Sequence, residues 1–339
     1  MTSPGGNLGD VAVAYLETRN YRRAAEVLQS ALAEDPDNAV LLARYAQAML
    51  GLKDYWRAAS AAHAALGAPD NEHAMRLYTA ALRGQRRLSE ALWMAHKTVE
   101  AHPNSFRAHY LHASMLHDSG FDDDALTAIN EALRLNPMSA DSLVLRADIS
   151  RFRWGRAAAE ADYHAALQLE PDHASAVHNL AVSRLRWGKL TTAIRGFLGA
   201  GRLDPDFGPL ARRNIGAVLI RVLRLTTASV IFLFVALAAI TGESQDLHST
   251  VLPRLFAAAV TLGLAAAMVW IVRSVPRPTL RAVLRERLLL VVRLAFVGFA
   301  IVVGLATVAV GSTPFTTALA PYLFIGAVGL TVVGWLVGQ

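Results

Sequence analysis

The chain has 339 residues with 33 basic and 27 acidic side chains, a formal charge of +6, no cysteine and 54% hydrophobic residues. The apolar share exceeds the roughly 45–50% of an ordinary soluble protein, and the lack of cysteine excludes disulfides, thiolate catalysis and cysteine-ligated zinc or iron–sulfur centres. The charge is uneven. From residue 211 onward there are eleven arginines, no lysine and three acids (Glu243, Asp246 and Glu286), a balance of +8 against −2 for residues 1–210. Basic residues beside apolar runs suit lipid headgroups better than a nucleic-acid groove, so membrane lipids rather than nucleic acid are the expected contacts. Residues 1–7, MTSPGGN, show neither a basic n-region nor an apolar h-region, so no cleavable signal is read there and a cytoplasmic N-terminal domain is expected.

The first two-thirds is periodic. Pro36, Pro69, Pro103, Pro137, Pro171 and Pro205 are spaced by 33, 34, 34, 34 and 34 residues, and proline ends helices because it lacks the N–H and crowds the preceding turn. Small residues share the period: Ala12, Ala46, Thr79, Ala113, Ala147 and Ala181 on a first helix, then Ala24, Ala58, Ala91, Ala125, Ala159 and Ala193 on a second. Ala31, Ala65, Thr98, Ala132, Ala166 and Ala200 follow seven residues later. Small side chains at fixed spacing on both helices let an antiparallel pair approach closely, with Tyr15, Leu28, Leu116, Ile129, Leu180 and Phe197 filling the space alongside.

This pattern resembles the tetratricopeptide repeat, most clearly in SFRAHYLHASMLHDSGFDDDALTAINEALRLNP and ASAVHNLAVSRLRWGKLTTAIRGFLGAGRLDP. The resemblance covers residues 5–207 as six repeats and implies an all-α superhelix of helical hairpins. It departs from the family where the first Trp position never carries Trp, where the second repeat is one residue short before Pro69, and where Thr79 and Thr98 replace smaller residues. Residues 208–224 are expected to form a capping helix and juxtamembrane linker.

The last third, 225–339, reads as a transmembrane domain with spans at 225–241, 255–272, 288–310 and 316–338, each near the length that crosses a hydrocarbon core about 30 Å thick. Arg212, Arg213, Arg221 and Arg224 precede the first span, and Arg273, Arg277, Arg281, Arg285 and Arg287 lie between the second and third. Arg254 is the lone fixed positive charge of the other two loops, so both chain ends are expected in the cytoplasm. Arg293, the one charge inside a span, is expected to snorkel to the headgroups. Small residues at Gly263, Ala267, Ala300, Gly304, Gly326, Gly334 and Gly338 allow close helix packing, although an Ala-rich chain places such residues by chance. The Ala- and Arg-rich, Lys-poor usage suggests a bacterial chain.

No nucleotide loop, nucleophile elbow or zinc-protease motif occurs, so neither an enzyme nor a cofactor is expected. His109, His112 and His117 have helix spacing suited to metal ligands but no matched carboxylate, and no metal is assigned. In the family pattern the positions facing the concave surface fall on Arg44, Gln47, Arg76, Arg83, Tyr110, Ser114, His117, Asp148, Arg151, His178 and Asn179. A protein or peptide partner with acidic groups would meet forked guanidinium contacts there. Arg277, Arg281 and Arg285 stand four apart and either bind lipid headgroups or simply set topology. The reading is a membrane-anchored interaction scaffold, with a repeat-regulated transporter component or lipid-handling module as the alternative.

Overall fold

The computed structural model describes residues 4–67, 71–151, 155–186, 188–242, 251–310 and 314–337, and every regular element among them is helical. The closing proline expected at 69, the loop residues 243–250 and 311–313, and Gly338 lie outside the described residues. The chain divides into two compact units, Met1–Pro171 and Asp172–Gln339.

The first unit holds five antiparallel pairs: α1 (Pro4–Glu17) with α2 (Tyr21–Glu34), α3 (Ala39–Gly51) with α4 (Tyr55–Ala65), α5 (Glu72–Gly84) with α6 (Leu88–Ala101), α7 (Phe106–Asp118) with α8 (Asp122–Leu135), and α9 (Ala140–Ser150) with α10 (Arg156–Leu169). Each second helix packs on the next first helix, and successive first helices also touch, α1 with α3, α3 with α5, α5 with α7 and α7 with α9. Short polar side chains start many of the helices. Asn38 Oδ1 accepts from the amides of Val40 and Leu41 at 3.1 Å each, Asp54 from Arg57 at 3.1 Å and Asn71 from Ala74 at 3.0 Å, occupying amides that a helix start leaves without partners.

All eighteen periodic small positions are at most 2% exposed. Ala at these points brings backbones close enough for Leu28, Ile129 and Phe197, each wholly buried, to fill the flanking space. The two threonines fit because their hydroxyls turn back on their own helices, Thr79 Oγ1 donating to the Met75 carbonyl and Thr98 Oγ1 to that of Met94, both at 2.8 Å. Glycine serves the contact between pairs. A Cβ on Gly51 would stand 2.4 Å from the Tyr21 ring, and one on Gly84 2.2 Å from the Tyr55 ring, so the aromatic opening a second helix seats directly on the backbone of the next pair.

The turn inside each pair needs one residue in the left-handed region. Gly120, Gly155 and Gly188 supply it without strain, whereas Arg19, Lys53 and Arg86 adopt φ of 55°, 62° and 66°. A side chain there costs about 1 kcal/mol because Cβ crowds the following carbonyl. Lys53→Gly and Arg86→Gly are therefore each expected to raise the thermal midpoint, and Gly120→Ala to lower it, in unfolding followed by circular dichroism.

The second unit contains the sixth pair, α11 (Ala174–Arg186) and α12 (Leu190–Leu203), a 3-10 turn at Pro205–Phe207, then α13 (Gly208–Gly242), α14 (Val251–Ser274), α15 (Arg277–Glu286), α16 (Leu288–Val310) and α17 (Pro314–Leu336). Among the described residues four helices are long and apolar enough to cross a membrane, over Pro205–Val235, Arg254–Ser274, Leu288–Ala309 and Ala318–Leu336. Only 22–39% of each apolar stretch is buried, so Leu225, Phe232, Leu262, Val302 and Ile325 face outward, as suits a lipid-facing surface. Where a capping helix and linker were expected before the first span, one 35-residue helix runs through both. Its single interior glycine, Gly216, is held by packing, since a Cβ there would stand 3.1 Å from Arg287 Nε and 3.4 Å from Val283.

Two of the small residues noted in the spans serve close packing. A Cβ on Gly304 would meet the Thr261 side chain, and one on Gly326 would lie 2.4 Å from the Phe296 ring, whereas Gly263 faces open space. Arg293 departs from expectation. It is 2% exposed and its Nη2 donates to the Leu330 carbonyl at 3.0 Å, because the face of α16 that carries it is covered by α17 and cannot release the side chain to the headgroups.

Candidate functional site

The first helices of the first unit carry two open grooves. One, of about 470 Å³, lies over α1, α3 and the start of α5 and is bordered by Glu17, Val40, Arg44, Gln47, Asn71 and His73. The other, of about 450 Å³, lies over α5, α7 and α9, with His73, Arg76, Arg107, Tyr110, Met138 and Asp141 among its lining and Glu170 at its edge. His73 borders both. Both grooves are therefore built from the face to which the repeat register assigns binding.

The second groove is lined by charges of both signs. Arg76 Nη1 lies 3.7 Å from Glu72, whose carboxylate also accepts from Ser105 Oγ at 2.9 Å. Burial draws the Arg76 guanidinium below its ordinary range; Glu72 opposes that and the neighbouring Arg107 adds to it. Arg107 itself lies over the Phe106 ring at 4.8 Å, a cation–π arrangement that holds its plane. Burial first, then Asp141, pushes the Tyr110 hydroxyl up to about 12, so it remains a neutral donor. Burial and Arg76 together lower the His73 imidazole, leaving it uncharged near neutral pH. The lining thus presents two guanidiniums and a phenol together with the carboxylates of Asp141 and Glu170.

Of the residues assigned from the sequence, Arg44 and Gln47 line the first groove, and Arg76 and Tyr110 the second. The others serve the fold. Arg83 Nε pairs with Asp118 at 2.6 Å, and His117 Nδ1 lies 2.6 Å from the Asp122 carboxylate. Ser114 is buried. Asp148 accepts from the Tyr163 hydroxyl, beside which Arg151 also bonds. His178 and Asn179 belong to the second unit. The three histidines weighed as metal ligands go to different partners: His109 Nε2 is 2.8 Å from the Pro103 carbonyl, His112 lies 5.4 Å from the His96 ring, and His117 is held by Asp122. Among the described residues no group of three or more His, Asp or Glu side chains is placed to hold a metal ion.

His73, Arg107 and Asp141 were missed, yet all three occupy the second position of their repeats, equivalent to Val40. The second groove opens over the N-terminal halves of the first helices. At positions nine and twelve Ser114, Arg83, His117, Asp148 and Arg151 are buried or bonded to neighbouring groups, whereas Gln47, also at position nine, lines the first groove.

Two family models, each described as tetratricopeptide repeat, match residues 15–74 and 80–140. The chain is a tetratricopeptide-repeat protein. Its helical pairs continue beyond the matched stretches to Leu203. Among solved structures it is similar to PilF of Pseudomonas aeruginosa, with 20% identity, a TM-score of 0.47 and coverage of 59% of this chain and 92% of that one. It is also similar to MamA from Desulfovibrio magneticus RS-1, residue 41 to the end, at 18% identity and a TM-score of 0.42 over 51% and 98% of the two chains. A third is YrrB, described as a TPR protein with an unusual peptide-binding site, at 21% identity and a TM-score of 0.38 over 51% and 89%. No curated protein matches the sequence.

In the second unit of this tetratricopeptide-repeat protein, His178 is 4% exposed and sits between the rings of Phe197 and Phe207, each 5.3 Å away. Its Nε2 is 3.3 Å from Asn214 Nδ2 of α13. Burial lowers its imidazole below the ordinary value, so the unfolded chain takes up a proton first as pH falls. Stability is then full above about pH 6.5 and declines as pH drops from there through the lower folded-state value. The thermal midpoint of the full chain in detergent is expected to fall between pH 8 and pH 5, and to fall less in His178→Gln. His73 and His112, lowered in the same sense, account for the part that persists in the variant.

Proposed function

We propose that the chain is a membrane-anchored scaffold whose tetratricopeptide repeats hold an extended protein segment bearing acidic side chains at the cytoplasmic face. The observation that carries this reading is the pair Arg76 and Arg107, neighbouring guanidiniums on the wall of a groove of about 450 Å³. Arg76 is half-buried and Arg107 exposed beside it; Glu72 offsets part of their mutual repulsion, and an incoming carboxylate relieves the rest while accepting forked hydrogen bonds. Asp141 and Glu170 in the same lining favour a polar or basic residue elsewhere on the segment. The first groove, with Arg44 and Gln47, extends the track toward α1 and suits an extended peptide rather than a small molecule.

The anchor in this reading is α13, α14, α16 and α17. Exposed Arg213, Arg221 and Arg224 precede the first span, and Arg273, Arg277, Arg281 and Arg285 lie between the second and third. That asymmetry supports a cytoplasmic placement of those segments, both chain ends and the repeats.

Capture from detergent-solubilised membranes by the full chain is expected to yield a partner whose retention weakens with salt. The double charge reversal Arg76→Glu, Arg107→Glu should lower the affinity of that partner by at least about tenfold, since each forked ionic contact contributes on the order of 1 kcal/mol or more. Arg22→Glu on the exposed surface of α2 should leave it unchanged. Equal capture by the wild type and the double variant would remove this groove as the binding site.

A further inference from the structure

The repeats do not use the most basic face of the second unit. α15, ten residues long, is too short to span a bilayer, and it is strongly two-sided. Val283 is buried, and Leu280 and Leu284 pack with it against a core that includes Phe197 of α12, Ile215 and Leu219 of α13, Ile271 of α14 and Leu290 of α16. Beside it Glu286 meets Arg212 at 3.3 Å, and Arg287 lies against Gly216. Pro276 and Pro278 fix its start. The helix is therefore clamped on its apolar side.

Its other side carries Arg277, Arg281 and Arg285, all exposed. Steps of four residues turn each about 40° from the last, which makes a single stripe. Among the described residues no carboxylate forms an ion pair with any of the three, although Glu286 is adjacent and is engaged by Arg212. The stripe also has a defined level. Eight residues of α13 separate Gly216, beside α15, from Arg224 at the edge of the apolar run, and at 1.5 Å per residue that is about 12 Å. Six residues of α16 separate Arg287 from Arg293, about 9 Å. At its other end α15 begins three residues after α14 stops. It thus lies along the polar margin of the bundle, at the depth where phosphate groups stand when the four helices cross a bilayer.

We infer that α15 is a binding site for anionic lipid headgroups, with Arg277, Arg281 and Arg285 each engaging phosphate. This rests on the reading that the bundle spans a membrane. Positive-inside topology requires only that arginines be present in this segment; it does not require three unpaired guanidiniums aligned on one face of a clamped helix. Guanidinium donors fork onto phosphate oxygens, and an anionic leaflet attracts each basic residue held near it.

The test uses the full chain in lipid nanodiscs of phosphatidylcholine alone or with phosphatidylglycerol, reading retained lipid by native mass spectrometry and affinity by displacement of a fluorescent phosphatidylglycerol. The wild type should retain phosphatidylglycerol preferentially. The triple variant Arg277→Gln, Arg281→Gln, Arg285→Gln should lose at least about tenfold in that affinity, whereas the triple lysine variant keeps most of it. Arg22→Gln, Arg57→Gln, Arg134→Gln, with the same change in net charge on the first unit, should behave as wild type. Unchanged lipid preference in the α15 glutamine variant, with helicity intact, overturns the proposal. So does equal competition by free glycerol phosphate, which would make the stripe a site for soluble anions. A chain that fails to enter the discs overturns the spanning reading itself, and the lipid site with it.

Discussion

Close approach of paired helices at eighteen small side chains is the constraint on which the architecture depends. Each position is Ala or Thr and each is at most 2% exposed, so no larger residue fits without moving two backbones. The larger apolar residues take their places only because these points fix the spacing. The two threonines show how strict the requirement is: steric size is what the position tests, and a hydroxyl is accepted when it bonds its own helix four residues back. Contacts between pairs obey the same rule with glycine, where Tyr21 and Tyr55 sit on Gly51 and Gly84. With the pairs so fixed, successive first helices come side by side, and the grooves at Arg44 and Arg76 follow from that placement rather than from any local motif.

The same packing logic joins the sixth pair to the apolar helices. Its core residues Ala193, Ile194 and Phe197 belong to one cluster with Ile215 and Leu219 of α13, Ile271 of α14 and Leu290 of α16. Trp270 Nε1 of α14 donates to Thr191 Oγ1 of α12 at 2.9 Å, and His178 of α11 meets Asn214 of α13. A repeat pair that ends an array must cover its last apolar face, and here α13 covers it while continuing into the first apolar stretch. The terminal repeat and the apolar helices thereby belong to one compact unit, α12 passing to α13 through the single turn at Pro205–Phe207.

The periodic part of this structure was legible because it rests on local rules repeated in phase. Proline spacing marks the helix ends, and small residues mark the faces. What the sequence concealed depended on tertiary contacts. A capping helix and linker were expected over 208–224, yet nothing in that stretch opposes helix, and residues of α15 and Arg287 pack against Gly216 within the one continuous helix. Arg293 sits near enough to a helix end to snorkel, but its face is covered by α17. The residues that the register assigned to the concave face divide between the grooves and the packing of the pairs. Arg44, Gln47, Arg76 and Tyr110 line the grooves, while Arg83, His117 and Asp148 spend their polar groups on neighbouring helices. His73, Arg107 and Asp141 occupy a position already within the family register, so the sequence contained the signal.

Arg293 also bears on what the bundle is. A guanidinium inside an apolar bundle is expensive unless its donors find acceptors, and here one donor reaches the Leu330 carbonyl of α17, an oxygen with a second lone pair beyond its helical bond. The contact links α16 to α17 at the level where Arg224 lies near enough to repel the Arg293 charge. Because moving α16 against α17 would cost the guanidinium the Leu330 acceptor, the contact favours a fixed arrangement of those two helices. The contact thereby ties α16 to α17, while the arginines exposed along α15 stand outside that packing.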